Sequence, residues 1–235
     1  MKELSCDEFK QIQIQILNEI KIFCEKNGLN YYLAYGTLLG AVRHQGFIPW
    51  DDDIDIAIID FLFDKHLAKT IGRELYLVGF DVIITANTVH LRCCNCEINL
   101  KSYLRNGTFY NSTMTKVEGS DLLYSIYNCL RRLALYRNSH SFSRQVVNFI
   151  YFIISFMNYL GGAFLQDLLI AKSKPKIRKI VIPAYLLSNT KDILFYDEYF
   201  KVPIDVNEYL TLRYGKNWNI PNRNYNYITD DLSLK

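Results

Sequence analysis

Four acids crowd five consecutive positions, Asp51, Asp52, Asp53 and Asp55. The run Asp53-Ile54-Asp55-Ile56 alternates with the period of a β-strand, which puts Asp53 and Asp55 on one face, about 6–7 Å apart at Cα. Ile54, Ile56 and Ile58 then point the other way, into a core. An acidic loop is usually just solvated. Here the isoleucines pin two carboxylates to the edge of a core, where like charges repel and resist burial. A divalent cation, Mg²⁺ or Mn²⁺, is the simplest partner for such a cluster.

Upstream lies Gly36-Thr37, a glycine and a hydroxyl residue where a short helix can begin. Such a turn suits phosphate: the backbone approaches closely, free N–H groups point outward and the helix dipole helps. A phosphate turn followed some fifteen residues later by an acidic strand is a pattern for metal-dependent phosphoryl or nucleotidyl transfer, which asks mainly for positioning and charge neutralisation. Arg43 and His44, on the same excursion, could meet phosphate oxygens; the competing reading is a surface pair at a helix C-terminus. A third carboxylate from a neighbouring strand commonly completes such a site, as ligand or base. Glu97 is the first candidate and Asp81 the second, against the plainer reading of Glu97 as an exposed strand residue.

The elements that must hold these groups follow from pattern. Ser5 and Glu8 form a capping box, and Phe9, Ile12, Ile16, Ile20 and Phe23 recur at helical spacing until Asn27-Gly28. Leu29–Tyr35 reads as the first strand and Asp60–Leu75 as a helix. Phe80–Ala86 and Val89–Cys96 read as strands around an Asn87-Thr88 turn. Cys96–Arg105 alternates, with Glu97, Asn99 and Lys101 on one face, and Asn106-Gly107 is a hairpin turn returning through Thr108–Thr113. Farther on, Arg178–Ile182 reads as a strand, and Asp205–Tyr214 as a helix capped by Asp205 and ended by Gly215. Strands and helices in this mixture predict a mixed sheet with helices packed on it, the α+β or α/β class.

The chain of 235 residues, half of them hydrophobic, is long enough for one domain with a substantial core. Charge is uneven: Leu122–Pro183 carries nine bases against Asp167 alone, on a chain of net charge +3. That asymmetry points to a polyanionic or membrane partner for the middle segment. Leu122–Tyr136 has helical spacing. Val146–Ile170 is very apolar but interrupted by polar residues and Gly161-Gly162, so a buried core helix, an interfacial helix and a membrane span compete. Met1-Lys2-Glu3 leads straight into the first helix, so no signal peptide is expected. The six cysteines, clustered at Cys93-Cys94-Asn95-Cys96, form no spaced disulfide framework and suit a reduced, cytoplasmic chain. With His90 they raise zinc, but the paired knuckles of a structural site are missing. No nucleic-acid motif is present, and neither a Walker loop nor a serine elbow occurs.

The stretch GTLLGAVRHQGFIPWDDDIDI at 36–56 resembles the signature of the LicD family, which includes bacterial phosphocholine transferases and the catalytic domains of fukutin-type enzymes. Phe200-Lys201-Val202-Pro203, and YLTLRYGKNW at 209–218 with Pro221, resemble the family's closing motif. The resemblance implies an α+β fold with a nucleotidyltransferase-like mixed sheet, in a single domain over residues 1–235. The basic, apolar helical segment at about 120–175 lies outside the resemblance and reads as an insertion where acceptor recognition or membrane docking could be built. It implies metal on Asp53 and Asp55, and Gly36 and Thr37 near the donor phosphates. The family commonly shows an Ile-Asp-Ile-Phe-like strand where this chain reads Glu97-Ile98-Asn99-Leu100. The implied activity moves phosphocholine or a phosphopolyol from a CDP-activated donor to a hydroxyl of a glycan. The cell-surface glycan or its lipid-linked precursor is the expected acceptor, met at the cytoplasmic face of the membrane through a peripheral contact with anionic lipid. A nucleotidyltransferase acting on a small molecule or RNA, and a non-catalytic glycan- or membrane-binding protein, are the alternatives.

Overall fold

The computed structural model describes residues 6–51, 53–60, 80–84, 88–93, 96–116, 176–226 and 229–235. Helix α1 (Cys6–Lys26) carries Asp7 and Glu8 in its first turn and Lys26 in its last, matching the helix dipole at both ends. It buries Ile16, Leu17, Ile20 and Cys24, close to the stripe expected from the spacing. Gly28 then takes a φ of 64°, the left-handed turn that a residue without Cβ adopts at no steric cost.

Strand β1 (Tyr31–Leu33) leads through Ala34 into helix α2 (Tyr35–Arg43). A loop follows, then the acidic strand β2 (Asp53–Ile59). Beyond it come β3 (Asp81–Ile84), β4 (Thr88–Cys93), β5 (Cys96–Asn106), β6 (Phe109–Lys116) and β7 (Lys176–Pro183). Among the described residues these form one mixed sheet in the order β1-β2-β5-β4-β3, with β6 joined to β5 and β7 to β6. β2 and β5 run parallel; the other pairs are antiparallel. β5 is long enough to serve two parts of the sheet. Residues 97–103 pair with β2, while 104–106 pair with β6 across the Asn106-Gly107 turn. Gly107 has the positive φ, 60°, that such a tight turn needs.

The short helix α3 (Ala184–Leu187), the hairpin β8 (Thr190–Phe195)–β9 (Glu198–Pro203) and helix α4 (Val206–Tyr214) complete the fold. Asp205 caps α4 by accepting from the Glu208 N–H at 2.9 Å, and Gly215 ends it at φ 81°. The core lies against the apolar face of the central strands: Ile54, Ile56, Ile58, Ile98, Leu100, Val89 and Leu91 are fully buried. This is the α+β mixed sheet with helices.

Several expectations shift. Tyr35 belongs to α2, with a φ of 46°, and Thr88 belongs to β4. The β8–β9 hairpin was not foreseen, because its exposed Leu194 and Tyr199 blur the alternation by which a strand is recognised. The expected Ser5 cap, the helix over 60–75 from its second residue on, and the helices at 122–136 and 146–170 lie outside the described residues, as does the whole of the insertion at 120–175. No helix among the described residues is long and apolar enough to cross a membrane.

Candidate functional site

The parallel register of β2 and β5 sets Asp53 opposite Glu97, Asp55 opposite Asn99 and Ala57 opposite Lys101. β4 adds His90 opposite Asn99 and Thr88 opposite Lys101. One face of three adjacent strands therefore carries a polar grid, while Ile54, Ile56, Ile98 and Leu100 fill the other. Asp55 is 6% exposed, and its Oδ1 lies 3.2 Å from Lys101 Nζ. Burial first, then the Asp55 and Asp51 carboxylates, push the Asp53 carboxyl up to about 9. The two aspartates are thus held together at an electrostatic cost.

Helix α2 supports them from its first turn. Thr37 is buried, and its Oγ1 accepts the Asp55 N–H at 2.8 Å, so this hydroxyl fixes the strand that carries the carboxylate. The backbone bond from Ala34 N–H to the Asp55 carbonyl, 3.1 Å, makes the same link one residue before the helix. Gly36 contributes by lacking a side chain, since a methyl group there would land on the Asp51 carboxylate. The open space lets Asp51 lie against the start of α2, within hydrogen-bonding reach of Asp53. What the structure shows of the two residues expected beside donor phosphates is that they place carboxylates.

Tyr35 is the strained joint between β1 and α2, since a bulky residue at positive φ needs surroundings that hold it. Its hydroxyl pairs with Tyr103 at 2.8 Å. Lys101 Nζ stands 3.6 Å from its ring centroid and Arg213 Cζ 3.8 Å; two cations that close must occupy opposite faces. Arg213, fully buried on α4, is ion-paired with Asp231, whose Oδ1 also accepts from the Ser233 N–H and hydroxyl. A continuous stack thus joins the C-terminal residues to Asp55. Pattern reasoning missed Tyr35, Arg213 and Asp231, because nothing local in the sequence ties residues so far apart.

Arg43 and His44 stand at the opposite end of α2, about 10 Å along the axis from Gly36. Arg43 donates to the Trp218 carbonyl at 3.0 Å and to His44 Nδ1 at 3.3 Å. Burial, and then the Arg43 charge, lower the His44 pKa, which leaves its ring neutral at pH 7. His44 also meets Trp50 edge-on. Both residues are half-buried rather than a surface pair, and Arg43 ties the end of α2 to the distant Trp218.

Glu97 lies beside Asp53 in register, with its Oε1 3.9 Å from His90 Nδ1. The β5 side chain seen bonded to Asp53 is Asn99, whose Nδ2 donates to Asp53 Oδ2 at 3.0 Å. Asp81 is three strands away from β2 in the sheet order, about 14 Å at the usual strand spacing. Among the described residues no three His, Cys, Asp or Glu side chains converge closely enough to hold a metal ion unaided. The donor set nevertheless suits Mg²⁺ or Mn²⁺: hard oxygens, crowded negative charge and a raised Asp53 are what a divalent cation would relieve. Mg²⁺ commonly takes only one or two carboxylates, with water and substrate phosphate completing the shell.

Residues 28–118 match the family described as LicD/FKTN/FKRP, nucleotidyltransferase domain. The chain is 48% identical over 56 residues to the lipopolysaccharide cholinephosphotransferase LicD of Haemophilus influenzae, covering 24% of this chain and 21% of that protein. It is 53% identical over 34 residues to the human ribitol 5-phosphate transferase FKRP, covering 14% of this chain and 7% of that protein. The matches therefore span about a fifth or less of these relatives. The solution structure of the antibiotic-resistance factor ANT(2'')-Ia aligns with 70% of this chain and 93% of its own at 12% identity, with a TM-score of 0.35, too distant to place any residue. The stretch of this chain that is similar to the LicD/FKTN/FKRP nucleotidyltransferase domain, residues 28–118, contains Gly36, Thr37, Asp53 and Asp55.

Proposed function

We propose that this protein is a metal-dependent phosphotransferase that moves a phospho-substituent, of phosphocholine or phosphopolyol type, from a CDP-activated donor to a hydroxyl of a glycan or its lipid-linked precursor. The observation that carries the reading is the pair Asp53 and Asp55, fixed on one face of a buried strand with Asp51 folded against them over Gly36. The names of LicD and FKRP support the reaction class.

Asp53 and Asp55 would hold Mg²⁺ or Mn²⁺, which when bound neutralises the donor's pyrophosphate and polarises the phosphorus under attack. The acceptor oxygen forms a bond to the phosphorus bearing the substituent, the pyrophosphate P–O bond breaks and CMP leaves. The hydroxyl proton passes to a carboxylate oxygen of the cluster. The protein's share is positioning: Thr37 fixes Asp55, Lys101 balances its charge, and Tyr35 keeps α2 against the strand. The basic stretch of Leu122–Pro183 supports a peripheral contact with anionic lipid at the cytoplasmic face, where a lipid-linked acceptor would be met.

Product analysis with labelled CTP, CDP-choline and CDP-polyols tests this. Transfer of the phospho-substituent with release of CMP is expected. Transfer of CMP itself with release of pyrophosphate would replace the reading with nucleotidyl transfer. Unchanged turnover in a D53N/D55N double variant would remove the acidic strand from the chemistry.

A further inference from the structure

The polar grid holds an amide beside the acidic pair, at a position where an acid would bring one more carboxylate to it. Asn99 is the β5 register partner of Asp55, on the strand hydrogen-bonded to β2. It is 7% exposed, and its Nδ2 donates to Asp53 Oδ2. Its Oδ1 lies 2.7 Å from His90 Nδ1, directly across on β4. With the amide nitrogen turned to a carboxylate, its oxygen is an acceptor, so His90 Nδ1 must carry the proton of that bond. His90 thereby fixes which end of the amide meets Asp53. Turned this way, Asn99 presents a donor to the acidic pair and keeps its one ligating atom pointed at the imidazole.

We propose that His90 and Asn99 form a positioning pair in the place of a carboxylate at position 99, orienting Asp53 and limiting the protein's own ligand set to a single divalent cation. This rests on the metal-dependent reading of Asp53 and Asp55. Two consequences follow from charge and geometry. With Asn99 presenting a donor where a ligand could stand, a second ion depends on the donor's phosphates. An acid at position 99 would add a ligand that the fold already aims at the site.

Mn²⁺ titration of the whole chain, followed by electron paramagnetic resonance without any donor, reads this directly. The wild type is expected to bind one ion. N99D is expected to bind Mn²⁺ at least tenfold more tightly. His90→Ala is expected to weaken binding about tenfold, in the range for residues that orient metal ligands, and His90→Gln, whose amide can still donate to Asn99 Oδ1, is expected to restore it. Two ions on the wild type, no gain in N99D, or a His90→Gln variant as weak as His90→Ala would each overturn the pair's role while leaving the metal site standing. Wild-type binding that a D53N/D55N variant retains, or no binding at all, would overturn the metal reading and this inference with it. The wild-type stoichiometry and the two His90 variants decide the matter even if N99D does not fold, and melting curves in chelator show which variants do.

Discussion

Asp51 lies against Gly36, its carboxylate filling the space a side chain at position 36 would take. The glycine of this turn makes room for an acid fifteen residues later. Gly36→Ala should therefore displace Asp51 and with it the partner of Asp53, lowering kcat/KM tenfold or more. Melting temperature should change by no more than a few degrees, because Asp51 is only half-buried and alanine is the better helix former by about 1 kcal/mol. A variant with near-normal activity would show that Asp51 has no part in the site.

Thr37 and Asp55 make a second testable link, since the threonine hydroxyl is the acceptor for a buried backbone N–H. Thr37→Val keeps the shape but leaves that N–H unpaired, at a cost of about 1–3 kcal/mol. Thr37→Ser keeps the oxygen and should stay near the wild type in both melting temperature and Mn²⁺ affinity. Equal behaviour of the two variants would mean that the bond does not hold the strand.

The crowding of Asp53 makes a prediction about pH. Its carboxyl is raised from the ordinary range near 3.8 to about 9 in the folded chain without metal. The folded state then binds the proton more tightly than the unfolded one, so stability is full below about pH 4 and falls as pH rises toward 9. In chelator, the wild type should lose melting temperature over that window more steeply than Asp53→Asn. At pH 8 the variant should melt higher, by about 2–4 °C for each kcal/mol of repulsion removed. Added Mn²⁺ should flatten the wild-type profile and leave that of the variant unchanged. Parallel profiles in chelator would show that Asp53 is not under this strain.

The Arg213–Asp231 pair anchors the stack that ends at Asp55. Removing one partner of a buried ion pair leaves the other uncompensated and typically costs about 3–5 kcal/mol. Asp231→Ala should therefore lower the melting temperature by about 10 °C and loosen Tyr35, whose ring Arg213 covers. Hydrogen exchange at Gly36 and Thr37 should rise with it. Loss of stability without a change at these two amides would confine the pair to a structural role.

Several elements were legible in the sequence because they rest on local rules. Alternation placed Asp53 and Asp55 on one strand face, the Asn106-Gly107 turn paired β5 with β6, and Asp205 with Gly215 bounded α4. Each depends on residues within a few positions of one another, where period and turn chemistry operate. The 36–56 stretch also carried enough specific residues to suggest a family.

What the tertiary structure decided is which distant residues meet. A parallel pairing of β2 with β5 set Asn99 opposite Asp55 and brought it to Asp53, and the order β2-β5-β4 put His90 behind it. Strand order arises from long-range packing, which no local period encodes. The same holds for Gly36: its turn was visible from sequence, but its need for Asp51 appears only once the loop folds back. The sequence by itself determined that two carboxylates would share a face at the edge of a core. Only the fold, by choosing their neighbours, determined that an amide, a lysine and a third aspartate would surround them.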